Sequence, residues 1–183
     1  PEEVAAIVAL ARERRLAIHM DGARFANAVA FLEATPADAA GDVDALSFGF
    51  IKNGGLGAEA IVFFDAALAD VARYRRKRAG HLQSKGRFLA AQLHAMLDGD
   101  VWLTNARHAN AAAQEIAAGC EERLMHAVEA NELFVRCTAD ERQALREKGF
   151  GFYDWGDDAA RFVTAWNTPE EDASALAKAL AAL

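Results

Sequence analysis

Apolar residues recur at helical spacing near the start, where Val4, Ile7, Val8 and Ala11 share one face, so a helix is expected to residue 14. Pro1, Glu2 and Glu3 suit its first turn: proline gives up no needed N–H there, and the acids complement the positive helix end. Residues 16–20 form a short run that is apolar except for His19 and is ended by Asp21-Gly22, the pattern of a buried parallel strand. Residues 23–33 read as helix, and Thr35-Pro36 as the cap and first turn of a shorter one. A second strand is expected over 43–48 and a third over 59–64, joined by a loop in which Gly54, Gly55 and Gly57 signal close turns or a close backbone approach. Strand, helix and strand in this order predict a parallel sheet with crossover helices.

From residue 66 the pattern turns helical and then strongly basic over 73–78, with a break at Ala79-Gly80-His81. Long helices are expected over 84–97 and 101–123. Strands follow near 133–137, 151–154 and 161–165, with helices near 140–148 and 169–183. The fold class expected is therefore α/β, parallel-sheet strands with crossover helices, followed by a small α+β domain. The division is placed at residues 1–122 and 123–183.

Composition narrows the function classes. The 183 residues include 44 alanines, which favour helix because alanine loses no side-chain entropy there. With 53% hydrophobic and 26% charged residues, the chain is globular rather than disordered. A net charge of -7 argues against a general nucleic-acid surface, which needs a basic face to neutralise phosphates. No apolar run approaches the ~20 residues that a membrane helix requires. Cys120 and Cys137 have neither disulfide-framework nor metal spacing, so a reducing, cytoplasmic setting is expected.

The chemistry centres on Asp21 and Lys52, each beyond the C-terminal end of an expected strand and one βαβ unit apart. In an open parallel sheet those ends share the edge where ligands collect. An acid and a lysine there match what pyridoxal 5'-phosphate demands: an amine for its aldehyde, and a carboxylate that keeps its ring nitrogen protonated. Arg24, three residues on, reaches the same edge and offers a planar fork for an anion. Each residue has an ordinary reading too. A lysine beside glycines is commonly just solvated, Asp21-Gly22 is a plain turn, and Arg24 could serve only to pair with Asp21. His19 and Asp21 form an H-x-D pair of the kind that binds metals, but no further ligands appear at helpful spacing, and no metal is expected.

His19-Met20-Asp21-Gly22-Ala23-Arg24 resembles the H-x-D-G-A-R signature of the low-specificity threonine aldolases, in the β-eliminating-lyase group of fold-type-I pyridoxal phosphate enzymes. The stretch from Ser47 to Gly55, with Ala58-Glu59-Ala60, is similar to that family's lysine loop and following strand. Arg75 to His81 and Phe88 to Gln92 resemble the basic segment and helix that come next. The resemblance implies that Lys52 forms the internal Schiff base with the cofactor and that Asp21 pairs with its ring nitrogen. It implies that Arg24 lies by the ring and the substrate carboxylate, and that Arg161 clamps that carboxylate, where the plain alternative is an arginine opening a strand. Arg76 is implied as a phosphate contact across a subunit interface, with a solvated helix face as the equal alternative, and His81 as a group near the site.

The function so implied is cleavage of threonine and related β-hydroxy-α-amino acids to glycine and an aldehyde, by a homodimer or homotetramer. Two departures stand out. Ile51 replaces the Ser or Thr usual before the lysine, and the family's front half, with its phosphate cup and ring-stacking residue, has no counterpart here, so the chain is expected to be a C-terminal part. Two rivals remain: another reaction of the same cofactor, elimination or transamination, and a non-catalytic interaction module for which the basic residues 73–78 are the only support.

Overall fold

The computed structural model describes residues 1–183. The chain packs as two compact units, Pro1–Leu103 and Thr104–Leu183.

In the first unit, α1 (Glu2–Glu13) leads to β1 (His19–Gly22), and α2 (Phe25–Leu32) with α3 (Pro36–Ala40) makes the crossover to β2 (Ala45–Phe48). Thr35 caps α3 by accepting from the Asp38 N–H, with Pro36 in the first turn as expected. β1 and β2 are parallel, with Asp21 opposite Ser47 and Gly22 opposite Phe48. The apolar run at 16–20 is only partly strand, because Arg15 turns left-handed (φ 55°) and the Leu16 N–H closes back on Ala11 O at 2.8 Å. Leu16 is thereby spent on leaving the helix and β1 begins at His19, so Asp21 lies inside the strand rather than after it.

The third strand corrects the expected parallel pattern. β3 (Ala60–Phe63) runs antiparallel to β2, with Phe48 opposite Ala60. Residues 49–59 carry only a 3-10 turn, Ile51–Asn53, and a link this short returns the chain beside its own strand instead of carrying it over the sheet. Beyond it, α4 (Ala66–Arg78) is capped by Asp65, whose Oδ1 accepts from the Ala67 N–H at 2.8 Å. α5 (Arg87–Leu97) starts three residues later than expected.

α6 (Val101–Ala118) opens in the first unit and continues into the second. There β4 (Glu132–Arg136), α7 (Ala139–Glu147), β5 (Tyr153–Trp155), β6 (Ala159–Val163) and α8 (Glu170–Ala181) form the α+β piece. The sheet is antiparallel with β6 in the middle, in the order β4-β6-β5. Thr138 and Glu141 cap α7 reciprocally, each side chain taking the other's backbone N–H. Leu133 and Val135 of β4, Ala160 and Phe162 of β6, Leu145 of α7 and Leu180 of α8 fill one core. Alternation along the strands therefore sends Glu132, Phe134, Arg161 and Val163 to the opposite face. No helix is long and apolar enough to cross a membrane.

Candidate functional site

The parallel register brings the ends of β1 and β2 to one edge, and the ladder runs one step further: the Gly49 N–H donates to Gly22 O at 3.0 Å. Only glycine fits there, since a Cβ on Gly49 would stand 2.7 Å from the Ala23 Cα and 2.8 Å from its carbonyl oxygen. Asp21 projects from β1, exposed, with Oδ1 accepting the Ala23 N–H at 3.1 Å. On the same face of the strand, His19 Nε2 bonds Ser47 Oγ at 2.7 Å, so the histidine of the H-x-D pair is engaged by a hydroxyl. Arg24 follows at the N-cap of α2, half-buried.

Lys52 sits on the 3-10 turn directly after β2. The turn's flanks face inward: Phe50 is 1% exposed, and buried Asn53 donates from Nδ2 to Trp102 O at 2.7 Å. Phe50 stacks against Phe48, which in turn meets Phe25 and Trp102. Between these anchors Ile51 and Lys52 face solvent. The Lys52 side chain is thus carried outward from a turn fixed at both sides.

The glycines around it serve the turn. Gly54 has φ 106°, and a Cβ on Gly55 would meet Phe50 O at 2.9 Å. The loop amides are largely committed within the chain. Asn53 and Gly55 donate to Phe50 O, Gly54 to Ile51 O, Ile51 to Glu59 Oε1 and Gly57 to Gln92 Oε1. Such a loop presents a lysine; it is not an anion cradle, which needs N–H groups pointing outward.

Asp21, Arg24 and Lys52 therefore all belong to the β1–β2 edge. Arg76 and His81 lie elsewhere in the unit, at the end of α4, where Arg76 Nε donates to His81 O at 3.1 Å and the His81 N–H returns to Arg76 O at 3.0 Å. Both are exposed, and their contacts close the helix end. Arg161 is in the second unit, on β6. It is ion-paired through Nη2 with Glu132 Oε1, and its guanidinium carbon lies 5.7 Å from the centroid of the Tyr153 ring. Ser47, Glu132 and Tyr153 were not among the residues expected from sequence. Strand alternation places each on the face of a candidate residue, but which cross-strand partner it meets depends on register.

A sequence-family profile described as beta-eliminating lyase matches residues 1–139. The chain belongs to that family. Among beta-eliminating lyase relatives it is 44% identical over 177 residues to the low specificity L-threonine aldolase of Pseudomonas sp. strain NCIMB 10558, covering 93% of this chain and 51% of that protein. It is also 44% identical over 185 residues to the low specificity L-threonine aldolase of Pseudomonas aeruginosa, covering 97% of this chain and 54% of that one. The chain thus spans about half the length of the curated relatives it matches. In structure it resembles a threonine aldolase from Leishmania major, with a TM-score of 0.88 and 28% identity over 98% of this chain and 55% of that one. An ornithine aminotransferase from Toxoplasma gondii shares the fold at 14% identity, with a TM-score of 0.64 over 100% of this chain and 47% of that one. The beta-eliminating lyase core expected from the H-x-D-G-A-R resemblance is therefore present, with its α/β architecture.

Proposed function

We propose that this chain carries the lysine-bearing part of a pyridoxal 5'-phosphate-dependent aldolase that cleaves threonine and related β-hydroxy-α-amino acids to glycine and an aldehyde. The observation that carries the reading is the parallel register of β1 and β2, which sets the Asp21 carboxylate and the Lys52 turn at one sheet edge. A lysine on an anchored turn and a carboxylate at one sheet edge are the donor set this cofactor requires, whereas a carboxylate alone or a lysine alone is commonplace. The 44% identity with two threonine aldolases supports the choice of substrate.

Bound at this edge, pyridoxal phosphate supplies an aldehyde for the lysine and a cationic ring that takes up the electron pair released when Cα–Cβ breaks. The residues here do the rest by placement. Lys52 presents its amine outward from a turn anchored by Phe50 and Asn53, so the nitrogen is accessible to a carbonyl and, once released, is at hand to carry a proton. Asp21 would place its carboxyl group against the ring nitrogen and favour the protonated ring there. Arg24 offers a guanidinium to the cofactor or to the substrate carboxylate, and Arg161 offers the planar fork that fixes a carboxylate's orientation. Ile51 would offer a cofactor phosphate no side-chain donor, and its N–H is committed to Glu59. Arg76, at the end of α4, is proposed as a phosphate contact across a subunit interface, and His81, bonded to it there, as a weaker candidate beside it.

The reading extends to a homodimer or homotetramer, supported by apolar side chains left exposed on the first unit, Leu56 (88%) and Phe88 (60%) among them. It also includes a cytoplasmic setting, supported by the two free cysteines. The domain roles proposed are a cofactor-binding part with connecting helices over residues 1–122 and a small α+β domain over residues 123–183.

The test is the absorbance spectrum of the protein with added pyridoxal phosphate, beside its Lys52→Ala variant. Lys52 is exposed, so the substitution should move stability by no more than about 0.5 kcal/mol. The expected result is a visible-edge band, reducible by borohydride, that is lost in the variant, with glycine and acetaldehyde formed from threonine. A band of equal strength in both proteins would remove Lys52 from the chemistry. Pyruvate from serine without glycine from threonine would reassign the reaction to elimination.

A further inference from the structure

Arg161 lies on the middle strand of the second sheet, with Phe134 opposite it on β4 and Tyr153 opposite it on β5. Glu132, opposite Val163, is its diagonal neighbour on the same face, a spacing that long side chains bridge. The two are held together by a charge-assisted hydrogen bond from Arg161 Nη2 to Glu132 Oε1. Both side chains are about three-quarters covered, with exposures of 24% and 23%. This pair is therefore better shielded from solvent than an ordinary surface ion pair, and it restrains a side chain that otherwise samples many rotamers. The Tyr153 ring packs near the guanidinium from the other side.

A guanidinium carries five N–H donors, and Glu132 takes from one nitrogen only. The fork keeps donors for a second anion while its plane is already set. We propose that Glu132 is the positioning residue of Arg161, fixing the guanidinium so that its remaining donors meet an amino-acid carboxylate as a planar pair. This rests on the reading of Arg161 as the carboxylate clamp. Two effects of Glu132 oppose each other: its charge repels an incoming carboxylate, and its hydrogen bond removes the disorder of the arginine. A carboxylate taken up by the remaining donors would lie against the guanidinium, whose positive charge offsets the repulsion from Glu132, so the second effect prevails.

The experiment uses the holoenzyme, with equilibrium binding read from the cofactor's absorbance and with KM and kcat measured for L-threonine. The binding probes are L-threonine and 1-amino-2-propanol, the same molecule without its carboxylate. Glu132→Ala should weaken L-threonine binding and raise KM by about tenfold, the size of one lost charge-assisted hydrogen bond, with kcat little changed. Glu132→Gln keeps an acceptor oxygen in place and should recover most of the loss. The amino alcohol should bind all of these proteins equally, which damage to the fold would not allow. Unchanged or tighter threonine binding in Glu132→Ala overturns the proposal, as does parallel weakening of both probes. Arg161→Gln separates the two levels. If it spares threonine binding, the clamp reading fails and the proposal with it; if it weakens threonine binding while Glu132→Ala does not, the clamp stands and only the role of Glu132 falls.

Discussion

Replacing Arg142 should destabilise the second unit more than replacing an exposed arginine would. Arg142 projects from α7, is 8% exposed, and spends its guanidinium on backbone. Nη1 donates to Cys137 O at 2.7 Å and to Asp157 O at 3.1 Å, Nη2 donates to Asp157 O at 3.1 Å, and Nε meets Asp154 Oδ1 at 3.0 Å. A longer contact, 3.5 Å to Ala159 O, adds little. In Arg142→Ala, Asp154 keeps Arg146 at 2.6 Å, so no carboxylate is stranded. Two carbonyls do lose their donor, at about 1–3 kcal/mol each when buried. Asp157 is exposed and water can relieve part of its share, so with the lost stem packing the total comes to about 3–4 kcal/mol. With an m-value of about 2 kcal/mol/M, the urea midpoint should fall by about 1.5–2 M. Arg142→Met preserves the apolar stem and should recover no more than about 1 kcal/mol of this. A Met variant within about 0.5 kcal/mol of the parent would show that Arg142 acts by filling space, and the hydrogen-bond account would be wrong.

Asp44 accepts from Arg12 Nη1 at 2.7 Å and from the Ile18 N–H at 2.6 Å, and the Arg12 bond foremost holds its carboxyl below the usual aspartate range. Its contribution should be complete above that range and lost as pH falls through the depressed value, so Asp44→Asn should flatten the acid limb of an unfolding titration. Gly49→Ala should cost about 1–3 kcal/mol, because the new methyl meets backbone rather than a movable side chain, and should weaken the cofactor absorbance band; an unchanged band and melting temperature would contradict the packing argument. Cys120 and Cys137 are 5% and 1% exposed, and burial pushes the Cys120 thiol up to about 11 and raises that of Cys137. Iodoacetamide at pH 8 should therefore leave both unlabelled until urea unfolds the second unit.

Much of this architecture is legible from local patterns. The Thr35-Pro36 start and the alternation of β4 and β6 are carried by neighbouring residues and need no long-range information. The Lys52 turn is similar, since Gly54 and Gly55 mark it directly. Strand direction is different: an apolar run reads the same whichever way it pairs, and only the shortness of the 49–59 link hints that β3 returns antiparallel. The run at 16–20 misleads because Arg15 takes a left-handed conformation that a residue with a Cβ seldom adopts, and the strand slips to 19–22. The pairing of Glu132 with Arg161 spans 29 positions and is fixed by register between β4 and β6, which side-chain spacing alone does not encode. For the site, Asp21 and Lys52 could be picked out by residue type and position. What holds them, the Gly49–Gly22 step and the buried Phe50 and Asn53, became visible only with the backbone in place.

The crowding at Gly49 also bears on how this protein can change over generations. Every single-base change of a glycine codon that alters the amino acid, whether to Ala, Val, Ser, Cys, Arg, Asp, Glu or Trp, adds a Cβ. At this position that atom falls on the backbone of Ala23. The codon consequently has no mild neighbour, and drift there has to wait for a compensating shift between β1 and α2. Gly57, with nothing within 4 Å of where its Cβ would stand, has ample room for the same changes. In a pool of random variants selected for folded protein, the two positions should part company, with one held to glycine and the other populated freely.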